Sequence, residues 1–262
     1  MKEFLKIIVG IFTVQAFRYF LLAGIPFWVF YIMFRKWFAK AKIQRKDAAK
    51  ADFVREILHS LQSTLVLSIV GYIVFSPPLR GITHIYTDIN KYGWWWIAGS
   101  TVLSLIIQDT YFYWMHRTLH HKALFKYTHL LHHKSTNPSP WTSYSFHFFE
   151  AWAQGAVLFI IALVLPIHVV AVTLFTMTSF IINVYGHLGY EIAPRWFRNS
   201  FLFRVTVSST YHNLHHSKFN GNYGLYFRFW DRLMKTENPD YVTEYDKIQE
   251  ARFGAKEVSL AG

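Results

Sequence analysis

A chain of 262 residues that is 53% hydrophobic, 19% aromatic and only 16% charged is too apolar for an ordinary soluble domain, which carries about 25% charged residues. Its balance of +12, from 27 Lys and Arg against 15 Asp and Glu, is of the kind that nucleic-acid binding gives, but long apolar runs separate the basic groups. Positive loops beside an anionic leaflet account for the charge better, and the absence of cysteine excludes disulfides, thiolate-ligated haem, Cys-held zinc and iron–sulfur clusters.

Lys2 and Lys6 precede an apolar run with no small-residue cleavage site, so the sequence predicts a retained membrane segment. Spans are predicted near 12–34, 57–76, 94–114, 146–165 and 167–186. Arg35, Lys36, Lys40, Lys42, Arg45, Lys46 and Lys50 follow the first, opposed only by Asp47, and mark a cytoplasmic loop. Pro77 and Pro78 end the second span. Trp94, Trp95 and Trp96 open the third at the level of an aromatic belt. Pro166 leaves a link between the last two that is short enough only for an antiparallel hairpin. Counting crossings puts 115–145 and 188–240 together on the cytoplasmic side as a cap, followed by a polar tail, 241–262. The predicted fold is all-α: one membrane-embedded domain, a helical bundle of four to five spans with a cytosolic helical cap.

The cap holds the chemistry. His116 and His120 stand at i and i+4; His129, His132 and His133, and again His212, His215 and His216, stand at i, i+3 and i+4. On helices these spacings stack imidazoles on one face, and imidazole is the commonest metal-ligating side chain. His187, four residues after Asn183 at the end of the last span, is a further candidate, as a polar pair at membrane depth is functional by default. His121 and His147 are open: His121, about 100° from His120 on a helix, could ligate if the helix ends there, and His147, three residues before Glu150, could be a ligand, a partner that orients a ligand, or an interfacial residue. His59, His84 and His168 are isolated and read as interfacial or core residues. So many neutral nitrogens exceed the four ligands of a structural zinc and point to two ions. Asp109, seven residues before His116 on one helical face, is read as an acceptor that orients His116 or a neighbour through a ring N–H, with a backbone or Tyr donor just above the metals, or a polar contact between helices, as the alternatives.

Three pieces of sequence now stand out: Asp109-Thr-Tyr-Phe-Tyr-Trp-Met-His-Arg117, the run His129 to His133, and Tyr211-His-Asn-Leu-His-His216. With Asn222-Tyr-Gly224 and Trp230-Asp-Arg-Leu233, the stretch 109–236 resembles the fatty acid hydroxylase / sterol desaturase superfamily of membrane non-haem di-iron oxygenases. The resemblance implies two irons, with zinc able to substitute. It implies as ligands His116, His120, His129, His132, His133, His187, His212, His215 and His216. It also implies O2 and a lipid substrate such as a sterol, fatty acyl chain or acylated lipid. Lys235 stands where the family usually has Gly, and Phe148 follows His147 where some sterol-type members have Pro.

The expected function is O2-dependent hydroxylation or desaturation of a lipid C–H bond at a bacterial inner membrane or endoplasmic reticulum, with the metal site on the cytoplasmic side. No haem- or flavin-binding motif is present, so electrons are expected from a separate donor: cytochrome b5, a ferredoxin or a reductase. Arg195, Arg198, Arg204, Lys218, Arg228 and Arg232 form a basic face that suits either an acidic donor or lipid headgroups. The competing reading is a membrane zinc or iron transporter. Transporters hold their ligands near the bilayer midplane, whereas these clusters lie beyond the span ends.

Overall fold

In a computed structural model, which describes residues 2–254, the chain folds into long helices carrying a compact cap of short ones. In chain order these are α1 (Lys2–Phe27), α2 (Lys50–Phe75), α3 (Trp94–Leu119), α4 (Phe125–Thr128), α5 (Leu130–His133), α6 (Phe148–Val164), α7 (Val169–Gly186), α8 (Phe201–Val205), α9 (Ser209–Lys218), α10 (Phe229–Leu233) and α11 (Tyr241–Phe253). Among the described residues, three helices are long and apolar enough to cross a membrane: Lys2–Met33, α2 and α7. α3, with 26 residues, has the length but a more polar face, and α6 has 17 residues. α1 starts ten residues before the predicted first span and is one continuous helix. Pro26 removes a backbone donor inside it, and the helix widens directly afterwards into a π-helical turn, Trp28–Met33.

α2 packs along both α1 and α6, and α3 along both α6 and α7. The α2–α6 contact is close because Gly155 faces Val70; a Cβ on residue 155 would lie 2.9 Å from a Val70 methyl. Ile97, Val157, Ile161, Ile167, Val172 and Phe175 bury one core between α3, α6 and α7. At the end of the bundle away from the cap, β1 (Ile85–Tyr86) pairs in parallel with β2 (Ile167–His168), Ile85 opposite Ile167. This ties the α2–α3 loop to the α6–α7 turn and places both at one end, as the predicted hairpin requires.

The basic loop after α1 lies at the other end, on the cap. Lys42 bridges to Tyr190, Ile43 N–H donates to the Gly189 carbonyl, and Asn137 Nδ2 donates to the Lys46 carbonyl. α2 does not begin at the edge of its apolar run but at Lys50. Its first turns reach into the cap, where buried Glu56 accepts from the hydroxyls of Ser135 (2.7 Å) and Ser139 (2.6 Å).

The polar tail expected over 241–262 is corrected in its first half. α11 packs on α9 with Tyr241 and Tyr245 fully buried, against Phe203 and Tyr211. Residues 255–262 lie outside the described residues. Lys235, where the resemblance expects Gly, has φ +55°, a left-handed conformation that costs a residue with a Cβ about 1–2 kcal/mol. Lys235→Gly should therefore raise stability by up to about 1 kcal/mol after the flexibility of glycine is discounted; a thermal melt that is unchanged or lowered would contradict this.

Candidate metal centre

α3 carries His116 in its last turn and His120 at its C-cap. α5 carries His132 and His133, with His129 at its N-cap; α7 ends on His187; α9 carries His212, His215 and His216. These nine converge into two groups: His116, His120, His129, His133 and His215, and His132, His187, His212 and His216. Within each group the donor nitrogens lie within 4.8 Å of one another. The grouping cuts across the motifs. His129 and His133, four apart, share one group while His132 joins the other; His212 and His216 share one while His215 joins the other.

The tautomers follow from the surroundings. Nδ1–H of His116 donates to the Tyr223 carbonyl (2.9 Å), of His132 to Ser145 (3.2 Å), of His187 to Asn183 (2.8 Å), of His215 to Gly221 (2.7 Å) and of His216 to Ser135 (3.0 Å). Burial first, then the neighbouring imidazoles, hold His129, His133, His212 and His216 well below the ordinary histidine pKa. The rings are thus neutral, with Nε2 unprotonated wherever Nδ1 is committed. Yet Nε2 atoms face each other: His187 is 3.0 Å from His212, 3.2 Å from His216 and 3.3 Å from His132. In the other group His116 is 3.0 Å from His129, and His133 is 3.1 Å from His120 and 3.0 Å from His215. Buried lone pairs pointed at each other repel unless a cation sits among them. The donor set fits metal: neutral imidazole suits iron, zinc, copper or nickel, and each ring N–H held by the backbone is the outer support that metal-binding histidines ordinarily have.

Burial pushes His215 down to about 4. The sign then follows: between about pH 6.5, where histidine in an unfolded chain titrates, and pH 4, the unfolded chain binds a proton that the folded one refuses. Folding stability of metal-stripped protein should be full above that window and fall with pH through it. Melting curves at pH 7 and 5 test this; equal melting temperatures would contradict it.

The loop 221–228 is the support that sequence reasoning did not see. Its Gly221 and Tyr223 carbonyls orient His215 and His116. Asp231 fixes it by accepting the N–H groups of Tyr223 (3.0 Å) and Gly224 (2.7 Å). Asp109 fixes it from α3: of the donors expected, backbone groups reach it, Oδ1 accepting the N–H groups of Tyr226 (2.7 Å) and Phe227 (3.1 Å), while the reading of a histidine partner is corrected. It does lie on the His116 face of α3, but backbone donors of the return loop reach it first. Asp109→Asn keeps an acceptor and should leave metal affinity close to wild type. Asp109→Ala orphans two N–H groups, at about 1–3 kcal/mol each, and should lower the melting temperature sharply; a silent alanine variant would contradict the pinning role.

Two further carboxylates were missed. Glu150 in the first turn of α6 is buried, its Oε1 2.8 Å from His129 Nδ1. Glu191 accepts the N–H and hydroxyl of Thr210 (3.1 and 2.8 Å) at the start of α9, where a negative charge suits the helix dipole. The only visible signal for Glu150 was an acidic residue opening an apolar helix. His121 and His147 belong to neither group. His121 is exposed and accepts from Ala123 N–H, and His147 caps α6 by accepting from Phe149 N–H. His168 caps α7 at the far end. Asn183 serves His187 through its backbone carbonyl, while its side chain donates to the Ser143 carbonyl. The predicted basic face also changes: Arg228 is buried, paired with Glu237 at 2.7 Å, and Arg198 pairs with Asp246 at 2.6 Å. Arg204, Lys218 and Arg232 remain exposed.

A cavity of about 660 Å³ opens among α1, α2, α3, α6 and α7, lined largely by apolar groups such as Ile11, Leu67, Val157 and Phe175. Its volume is that of a lipid- or drug-sized site. At the cap end its lining residues touch the centre: the Phe146 ring is 5.2 Å from His132, and Phe112 is 4.9 Å from His116.

Comparison with known proteins agrees with this arrangement. The chain is 31% identical to a Delta(7)-sterol 5(6)-desaturase of Gibberella zeae, over 81% of this chain and 64% of that protein. It is 34% identical to lathosterol oxidase of Rattus norvegicus, over 70% and 60%, and 30% identical to lathosterol oxidase of Homo sapiens, over 75% and 64%. The chain thus spans somewhat under two thirds of the length of these relatives. No solved structure matches it significantly. The family model described as fatty acid hydroxylase matches residues 101–236, the stretch that carries all nine clustered histidines, Asp109, Glu150 and the pinned loop. The chain belongs to the fatty acid hydroxylase family.

Proposed function

We propose that the chain is a membrane-bound lipid oxygenase that uses O2 and external electrons to hydroxylate or desaturate a C–H bond of a sterol, fatty acyl chain or acylated lipid. The observation that carries this is the placement of two buried imidazole groups at the cap end of an apolar cavity that runs into the bundle. The names of the relatives, sterol desaturase and lathosterol oxidase, favour the desaturation of a sterol-like skeleton. They give no support to the transporter alternative.

Two ferrous ions, one held by His116, His120, His129, His133 and His215 and the other by His132, His187, His212 and His216, would supply the O2-reducing chemistry. Five neutral donors exceed the four ligands of a structural zinc site, and neutral imidazole suits iron. The backbone carbonyls of Tyr223, Ser145, Asn183, Gly221 and Ser135 hold five of the rings in their orientation, and Glu150 lies beside His129. Phe112 and Phe146 present the lipid and exclude water from the reacting carbon. Hydroxylation consumes O2, two electrons and two protons and releases one water. Desaturation takes two hydrogens from the lipid and releases two waters. The electrons come from a separate donor such as cytochrome b5, a ferredoxin or a reductase, docking on the exposed Arg204, Lys218 and Arg232. The basic loop 35–50 and the cap share one end of the bundle, which supports placing the metal centre in the cytoplasm and crossing the bilayer with α3 and α6 as well. Lipid mass spectrometry of cells with and without the gene tests the function. The expected product is heavier by one oxygen or lighter by two hydrogens; unchanged lipids would contradict it.

A further inference from the structure

Arg18 stands near the midpoint of the 32-residue apolar helix Lys2–Met33. Fifteen residues, about 22 Å of helix, separate it from the cap end, so the side chain cannot reach an interface by snorkelling. It is half-buried and lines the cavity. All its partners are neutral, the Tyr144 hydroxyl among them. Nη2 donates to Gln15 Oε1 at 2.6 Å, Nη1 to Thr176 Oγ1 at 3.3 Å and to the Met177 sulfur at 3.9 Å. The guanidinium carbon sits 5.9 Å from the Phe180 ring centre. Nε is buried without a partner. Among the described residues no carboxylate is within ion-pair distance of Arg18.

An uncompensated charge at membrane depth is costly, and such residues ordinarily face a partner, a substrate path or water. Here the charge faces the substrate cavity. A second unsatisfied group lines the same space: the side-chain oxygen of Gln108 on α3 is buried without a partner. Its amide, turned about its terminal bond, offers N–H instead. Polar groups from α1, α3 and α7, Gln15, Arg18, Gln108 and Thr176, thus share one largely apolar cavity. A planar guanidinium fork matches a carboxylate in shape and charge.

We propose that Arg18, with Gln15, Gln108 and Thr176, binds a carboxylate on the lipid substrate, so that the preferred substrate is an acidic lipid. This rests on the oxygenase reading and narrows it. Thr176 lies eleven residues before His187, about 16 Å along α7, so the oxidised carbon sits roughly that far from the acid group. The sterol-like skeleton that the relatives' names favour is thereby narrowed to one that bears an acid group, and a skeleton without a charge to meet Arg18 would bind this cavity less well.

The test is binding to the full-length, metal-loaded protein in nanodiscs, read by tryptophan fluorescence without turnover. The probes are a long-chain fatty acid and its methyl ester, and a steroid carboxylic acid and its methyl ester. In at least one pair the acid should bind about 10-fold or more tighter than the ester, the order of a charge-assisted pair in a buried site. Arg18→Gln should remove the preference and Arg18→Lys keep part of it, both with wild-type metal content, because Arg18 touches no histidine. Equal affinity of acid and ester in both pairs, no saturable binding, or a preference that survives Arg18→Gln would overturn the proposal. If Arg18→Gln fails to fold, the wild-type comparison and Arg18→Lys still decide. The oxygenase reading is judged separately: acid preference without any oxidised lipid would sink that reading and leave the carboxylate site standing, and oxidation of neutral lipid without acid preference would do the reverse.

Discussion

His215→Ala should abolish lipid oxidation and reduce bound metal from two ions per chain towards one. His215 gives one of five nitrogens to its group, and its ring is locked by the Gly221 carbonyl at 2.7 Å. Alanine removes both the donor and the lock. The fold should persist, because α9 is also held by Ser208 at its N-cap, by Glu191 and by packing against α11. Turnover should fall by more than about 100-fold, past the range expected for an outer partner. His129→Ala should behave alike. Metal analysis and lipid turnover on the purified variants check this, and activity retained in either would refute the assignment of donors.

The second large effect is expected at Glu150. Its side chain is buried, its Oε1 2.8 Å from His129 Nδ1, the position of the carboxylic partner that a ligating imidazole usually has. Glu150→Gln keeps the volume and removes the acid group. Metal affinity or turnover should drop by about 10- to 100-fold, with the melting temperature of the metal-free protein little changed, since the side-chain volume is kept. Iron titration of the variant at wild-type affinity would show that Glu150 is a packing residue only.

Eight of the nine clustered positions stood out in the sequence through histidines three and four residues apart, and His187 through its spacing from Asn183; the pairs four apart, His116 and His120, His129 and His133, His212 and His216, each share one group. The division into two groups was not legible. His132 and His133, or His215 and His216, differ by 100° on their own helix, but which neighbour each then meets depends on how α5, α7 and α9 cross. Asp109 shows the same limit. Its shared face with His116 follows from the seven-residue spacing, yet its actual partners are backbone N–H groups of residues 226 and 227, which no side-chain pattern announces. Glu150 was hidden because it sits far along the chain from His129, beside a histidine that turned out to cap α6. The apolar runs located the bundle well, but not the ends of α1 and α2. Both continue past their apolar stretches, α2 because Glu56 finds hydroxyl partners inside the cap. α11 was missed for its polar average, although Tyr241 and Tyr245, four apart, were the visible sign of a buried face.

The most direct measurement is the stoichiometry of ferrous iron taken up anaerobically by the purified protein. With one ion for each imidazole group, one of five and one of four donors, uptake should reach two ions per chain in the wild type. His212→Ala, which touches only the group of four, should then bind one ion tightly. Wild-type uptake of one ion or none would contradict the two-metal account.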